Sequence, residues 1–197
     1  MAGRGEETES AELLERAVGY ALCSVRQVTP ALLSRPTPCR GWDLAALLGH
    51  ANDSLAALHE GTAAGRVGLL PAAEACGDPV AAFRLHASRL LGACAARAPG
   101  RGRRGQAVVT VDGWPLESAA LAAAGALEVA VHGWDIGRAT GLPRPIPPAL
   151  AAALLRAARG LVPEPAERYP LFALPVAVPA RADPGDRLVA FLGRDPR

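Results

Sequence analysis

Three residues in this chain of 197 have the types and spacing to hold a divalent metal ion: His50, Glu128 and His132. Glu128 and His132 stand four residues apart in the run Leu127-Glu-Val-Ala-Val-His-Gly-Trp-Asp135. On a helix that spacing places both on one face, about one turn apart and near enough to share an ion. A carboxylate and a histidine so spaced are more often a surface pair, so the setting has to decide. Leu121, Ala124, Leu127, Ala130 and Val131 surround them with apolar side chains, and a carboxylate and an imidazole placed there need a partner, because burying an unpaired charge is expensive. His50 meets the same problem behind Leu47 and Leu48 and ahead of Ala51. Two imidazoles and one carboxylate leave open coordination positions, as in a catalytic rather than a closed structural zinc site. The same set suits non-haem iron(II), so ligand identity alone does not choose among zinc, iron and nickel.

The remaining polar candidates are weaker. His59 lies nine residues beyond His50, which on a helix turns it about 180° away, towards solvent. His86 could share the metal layer if its helix runs parallel to that of His50, and a surface or core-edge histidine is the plainer reading. Cys39 reads as a small buried hydrophobe. The run Arg97 to Arg104 holds four arginines among glycines without aromatic residues between them, which favours a solvated loop over a nucleic-acid or anion site.

Helices must carry these groups. Leu13, Leu14, Ala17, Val18, Ala21, Leu22, Val25 and Val28 recur at three- and four-residue steps and predict an amphipathic helix over about 10–33. Asp43 caps a second helix running to about Ala64. Asp78-Pro79 opens a third, to about Arg97. A fourth spans about 115–140, stopped by Gly141-Leu142-Pro143. A β-prone run over 106–111 precedes it. Beyond residue 145 prolines crowd the chain: one more helix fits at about 148–161, followed by an extended arm with a short amphipathic turn around Leu188, Val189, Phe191 and Leu192. The expected division is a bundle over 1–145 and, over 146–197, a helix and proline-rich arm packed on it. At about 1.5 Å per residue, His50 lies about 12 Å from the start of the second helix, and Glu128 and His132 about 12 Å from the end of the fourth. The three meet only if those helices run antiparallel.

Composition narrows the partners. Half of the chain is hydrophobic but only 4% aromatic, which suits close-packed helices better than a β-sandwich. The net charge of +2, from 21 basic residues that are all arginine and 19 acidic ones, announces neither a nucleic acid nor a membrane. Cys23, Cys39, Cys76 and Cys94 are scattered as in a reduced compartment. With no apolar run of about 20 residues and an acidic start, a cytoplasmic protein, monomer or homodimer, with a small-molecule substrate is expected.

Pro38-Cys39-Arg40-Gly41-Trp42-Asp43, Leu47-Leu48-Gly49-His50, Glu128-Val-Ala-Val-His132-Gly133-Trp134-Asp135 and Phe191-Leu192-Gly193-Arg194-Asp195-Pro196 resemble the DinB-like superfamily. Within it they are most similar to the actinobacterial branch related to mycothiol-dependent maleylpyruvate isomerase. The resemblance implies an all-α four-helix bundle of up-down-down-up topology. It also implies a metal, usually zinc, on His50, Glu128 and His132; by their places at the neighbouring helix ends and on the third helix, Asp43, Trp134, Asp135 and His86 are candidates around it. It implies an isomerase or S-transferase using mycothiol or a related thiol; in the isomerisation the thiol adds to a double bond, allows rotation and leaves. The isomerase itself carries a second α/β domain that helps bind mycothiol, where this chain has a helix and arm. Two alternatives stay open: a thiol-independent metal-dependent lyase, hydrolase, dehydratase or cyclase, and a non-catalytic metal-binding module.

Overall fold

The computed structural model describes residues 2–68, 77–97, 107–168 and 172–197. Cys76, residues 98–104 of the arginine run, Gln106 and Leu171 lie outside the described residues. Six α-helices are described: α1 (Ala2–Val25), α2 (Leu44–Ala64), α3 (Pro79–Arg97), α4 (Ser118–Thr140), α5 (Pro148–Leu161) and α6 (Pro184–Phe191). A small sheet joins β1 (Arg66–Val67), β2 (Val108–Val111) and β3 (Trp114–Glu117), with β1 parallel and β3 antiparallel to β2.

Local chemistry sets the helix ends. Asp43 caps α2 by accepting from the Ala46 amide at 2.8 Å, and Asp78 accepts from the Val80 and Ala81 amides at the start of α3. Gly65 and Gly141 close α2 and α4 in the left-handed region. Three boundaries differ from expectation. The first helix begins at Ala2, well ahead of the expected start at about residue 10, because no proline interrupts the segment and Glu6, Glu7 and Glu9 favour the early turns of a helix. The first helix stops at Val25 rather than running to Leu33, because Pro30 holds Thr29 extended (φ −119°, ψ 159°). The fourth begins at Ser118, three residues later than Pro115. Asp112 and Gly113 both take positive φ (49° and 82°), the signature of a tight hairpin turn, and Trp114–Glu117 becomes the returning strand.

The helix directions follow from contacts along their lengths. His50 of α2 meets Glu128 of α4, Leu58 packs at Gly125, and Gly61 at Leu121, so the two helices run antiparallel. The α1 side chain of Tyr20 reaches the carbonyl of Arg144, just past α4, and Gly133 lies on Ala21; α1 and α4 therefore run parallel. Asn52 of α2 donates to the Pro79 carbonyl at the start of α3. The bundle is up-down-down-up. From Gly125 to Thr140 α4 is buried almost all round, including His132 and Asp135, as the central helix of the fold must be.

The arm joins the core. Leu188, Val189 and Leu192 are buried, with Phe172 and Phe191 packed beside them, each buried side chain worth roughly 1.5–3 kcal/mol. No helix among the described residues is long and apolar enough to cross a membrane.

Glycine substitutions test the α2–α4 approach. A Cβ on Gly125 would lie 2.3 Å from Leu58 Cδ2, whereas one on Gly92 of α3 meets nothing within 4 Å. Gly92→Ala should stabilise the protein by about 0.5–1 kcal/mol. Gly125→Ala should destabilise it by up to about 2 kcal/mol, the overpacking cost less the gain in helix propensity. Urea denaturation reads both; equal effects from the two would mean that the helices are not in close contact there.

Candidate metal centre

The site is built where the start of α2 faces the C-terminal half of α4. Close helix contact brings short side chains within reach: His50 Nε2 lies 2.5 Å and His132 Nε2 3.1 Å from the same Glu128 oxygen, Oε1. One ligand atom from each of the three residues falls within 4.8 Å of the others. Four-coordinate zinc with bonds of about 2.0–2.1 Å needs ligands about 3.3 Å apart, so small side-chain adjustments admit an ion. The donor set, two imidazole nitrogens and a carboxylate, fits zinc or iron(II). His50 and Glu128 side chains are 40% and 37% exposed, which leaves the site open to a small molecule.

His132 is buried, and its two ring nitrogens face different groups. Nε2 points to Glu128 and His50; Nδ1–H donates to Asp135 Oδ2 at 3.0 Å. Asp135 is fully buried and is clamped from the other side by Arg194, whose Nη2 donates to Oδ2 at 3.0 Å and Nε to Oδ1 at 3.3 Å. The Cys39 thiol donates to Asp135 Oδ2 at 3.2 Å and lies 3.8 Å from His132 Nδ1. Cys39, His132 and Asp135 also converge closely enough to hold an ion. Since Asp135 is already satisfied by His132, Arg194 and Cys39, this group reads as the support behind His132.

The electrostatics follow from burial and these partners. Burial alone would raise the Glu128 carboxyl and lower the His132 imidazole. Hydrogen bonds from His132 and His50 outweigh it at Glu128, whose pKa falls well below the carboxylate range. Those with Asp135, Cys39 and Glu128 push His132 up to about 11. Burial likewise opposes the charge on Asp135, but the His132 bond and Arg194 hold its pKa down.

A short loop supplies the rim. Thr37 Oγ1 donates to the Trp42 carbonyl and accepts from the Cys39 amide, Gly41 turns at φ 81°, and Arg35 ties the loop to the Thr140 carbonyl at the end of α4. Cys39 is thereby turned inward. The ring of Trp42 comes to rest 4.9 Å from that of His50 and 6.5 Å from that of His132.

Several sequence expectations are corrected. Cys39 is not merely a small hydrophobe but a polar neighbour of Asp135. Asp135, a candidate around the metal, is held by Arg194 of the arm, although Arg138 stands only three residues on in the same helix. It faces the interior, while Arg138 stacks over Trp134 at 5.5 Å and donates to the Arg197 carbonyl. Trp134 is buried, with Arg138 over its ring. Asp43 serves its helix as a cap. His86 sits part-exposed on α3, which packs on α2 and α1, and is not among the converging groups. Ser54 and Arg194 were overlooked: Ser54 Oγ donates to Glu128 Oε1 at 3.2 Å, and its place one turn after His50 is a same-face signal.

A family model described as the mycothiol maleylpyruvate isomerase N-terminal domain matches residues 14–137. The chain belongs to this family. The matched span contains His50, Glu128, His132 and Asp135 and stops short of Arg194. No curated protein matches the chain, and no solved structure does.

Asp135→Asn checks the buried pair. Removing the charge leaves the mostly buried Arg194, 17% exposed, without its partner and should cost up to about 3 kcal/mol in metal-free protein at pH 7, less than for a fully buried pair. Because the folded pKa of Asp135 is depressed, its contribution is present above the ordinary value of about 3.9. It is lost as pH falls through the folded value. The gap between wild type and variant should therefore hold at neutral pH and close in acid. A gap that stays constant in denaturation at pH 3 and below would assign the loss to packing instead.

Proposed function

We propose that this chain is a zinc-dependent enzyme that uses a low-molecular-weight thiol of the mycothiol type to isomerise or S-conjugate a small electrophilic metabolite. The observation that carries the metal part is the division of His132: Asp135 holds Nδ1–H, so Nε2 is the nitrogen turned towards Glu128 and His50 at an opening to solvent. A ligating histidine whose other nitrogen donates to a carboxylate is the usual arrangement at metal centres. Family membership supports the thiol part.

Bound by His50, Glu128 and His132, a divalent ion supplies a Lewis acid that favours a thiolate over a thiol or polarises a carbonyl. The protein side does the positioning. Asp135 keeps one tautomer of His132 and raises its basicity. Ser54 holds Glu128 Oε1 by a hydrogen bond. Trp42, partly exposed at the mouth, offers an apolar wall for a carbon skeleton beside the reacting groups.

Metal uptake should displace the Nε2 proton that His132 carries with its raised pKa, so zinc binding at pH 7 releases protons. Calorimetry in buffers of different ionisation enthalpy measures the number released; a buffer-independent enthalpy contradicts this ligand set. His50→Ala and His132→Ala should each lower zinc affinity by more than about 100-fold, beyond the loss expected for an outer partner. Titrating the zinc-loaded protein with mycothiol then tests the thiol. Binding that disappears in His132→Ala supports it, whereas zinc binding without mycothiol binding moves the activity to thiol-independent chemistry.

A further inference from the structure

We propose that Arg194, carried by the C-terminal arm, is a positioning residue of the metal centre that acts through Asp135 on His132, so that arm docking and ion binding favour one another. The inference rests on the metal reading above and extends it to a segment outside the family match, which ends at residue 137.

The geometry is a relay of three side chains. Arg194 grips Asp135 with two near-parallel bonds, Nη2 to Oδ2 at 3.0 Å and Nε to Oδ1 at 3.3 Å, a fork that fixes the plane of a carboxylate as well as its charge. The oxygen it holds most closely, Oδ2, is the one that accepts His132 Nδ1–H. Asp135 has no exposed surface, so in the intact protein its carboxylate is met by protein groups and not by solvent. Without the guanidinium, the carboxylate would be free to turn, and that change would release the imidazole from its orientation.

Arg194 is in turn given little freedom. Its amide donates to the Val189 carbonyl and its Nη1 to the Leu192 carbonyl. Gly193 before it has φ +84°, and a Cβ there would lie 2.5 Å from the Cβ of Ala173 and about as close to its backbone as 3.0 Å. The turn is thus wedged against the returning arm. Farther back, buried Arg168 donates to the carbonyls of Phe191 (2.5 Å) and Pro163 (3.1 Å) and stacks over the Phe191 ring. A buried arginine–carboxylate pair is a poor way to stabilise a fold compared with apolar packing. The construction around Arg194 has its explanation in what the pair does for His132.

Coupling of this kind is reciprocal, so two independent measurements bear on it, both made on the full chain with zinc or cobalt as the only added ligand. In chelator competition, Arg194→Gln should lower zinc affinity by about 10–100-fold, the usual cost of losing an outer partner. Arg194→Lys should recover part of it. Gly193→Ala, which alters no polar group at the site, should shift affinity in the same direction, and the cobalt absorption spectrum of Arg194→Gln should change. In the unaltered protein, zinc should slow amide exchange across residues 188–194. A cooperatively folded Arg194→Gln with unchanged zinc affinity and cobalt spectrum overturns the proposal, as does an arm whose exchange ignores zinc. Should Arg194→Gln fail to fold, Arg194→Lys, Gly193→Ala and the exchange measurement decide. If the unaltered protein binds neither ion, the metal reading itself falls, an outcome distinct from normal binding that Arg194 does not influence.

Discussion

A histidine can give a metal only one of its two ring nitrogens, and at His132 Asp135 makes the choice. Its carboxylate holds Nδ1–H, so Nε2 is the atom turned towards Glu128 and His50. Keeping an ionised carboxylate in the interior is costly unless its lone pairs are satisfied. Much of the surrounding structure can be understood as meeting that condition: Arg194 comes from the arm, Cys39 from the loop before α2, and His132 from one turn earlier on the same helix. The central position of α4 follows from the same demand. A helix carrying such a group in its interior must be covered on every side, by α1, α2, α5 and the arm.

The close approach of α2 and α4 meets the second geometric need. Glycines at positions 61 and 125 admit Leu121 and Leu58 from the facing helix, and the short separation lets His50 reach Glu128 directly. The antiparallel direction matters as much. In a parallel pair His50 would lie roughly two turns from Glu128 and His132, at about 5.4 Å per turn.

Much of this was legible in the sequence, because helical phase and height are local arithmetic. The buried stripes, the Asp43 and Asp78 caps and the Gly141 stop follow from spacing and residue type, and the convergence of His50 with Glu128 and His132 follows from spacing once their helices are antiparallel. The partner of Asp135 was not legible. Arg138, three residues on, and Arg194, across the fold, offer the same charge, and only burial of Asp135 on the inner face of α4 separates them. Cys39 was misread for a related reason, since its orientation is set by hydrogen bonds of Thr37 that no periodicity encodes. The hairpin was different. Asp112-Gly113 is a strong turn signal, and giving it full weight would have placed the start of α4 after Glu117. The family match through residue 137 accords with the helical bundle and contains no part of the arm.

The pairing of Asp135 with Arg194 also has a meaning in time. The two residues are 59 positions apart, and a ribosome adding about 5–20 residues per second needs about 3–12 s to cover that distance. During this interval α1 to α4 can emerge and pack while the carboxylate at the heart of the site still lacks its guanidinium. The nascent bundle therefore passes through a stage with its helices in place and its buried carboxylate held by His132 and Cys39 alone, and the arm brings the guanidinium last.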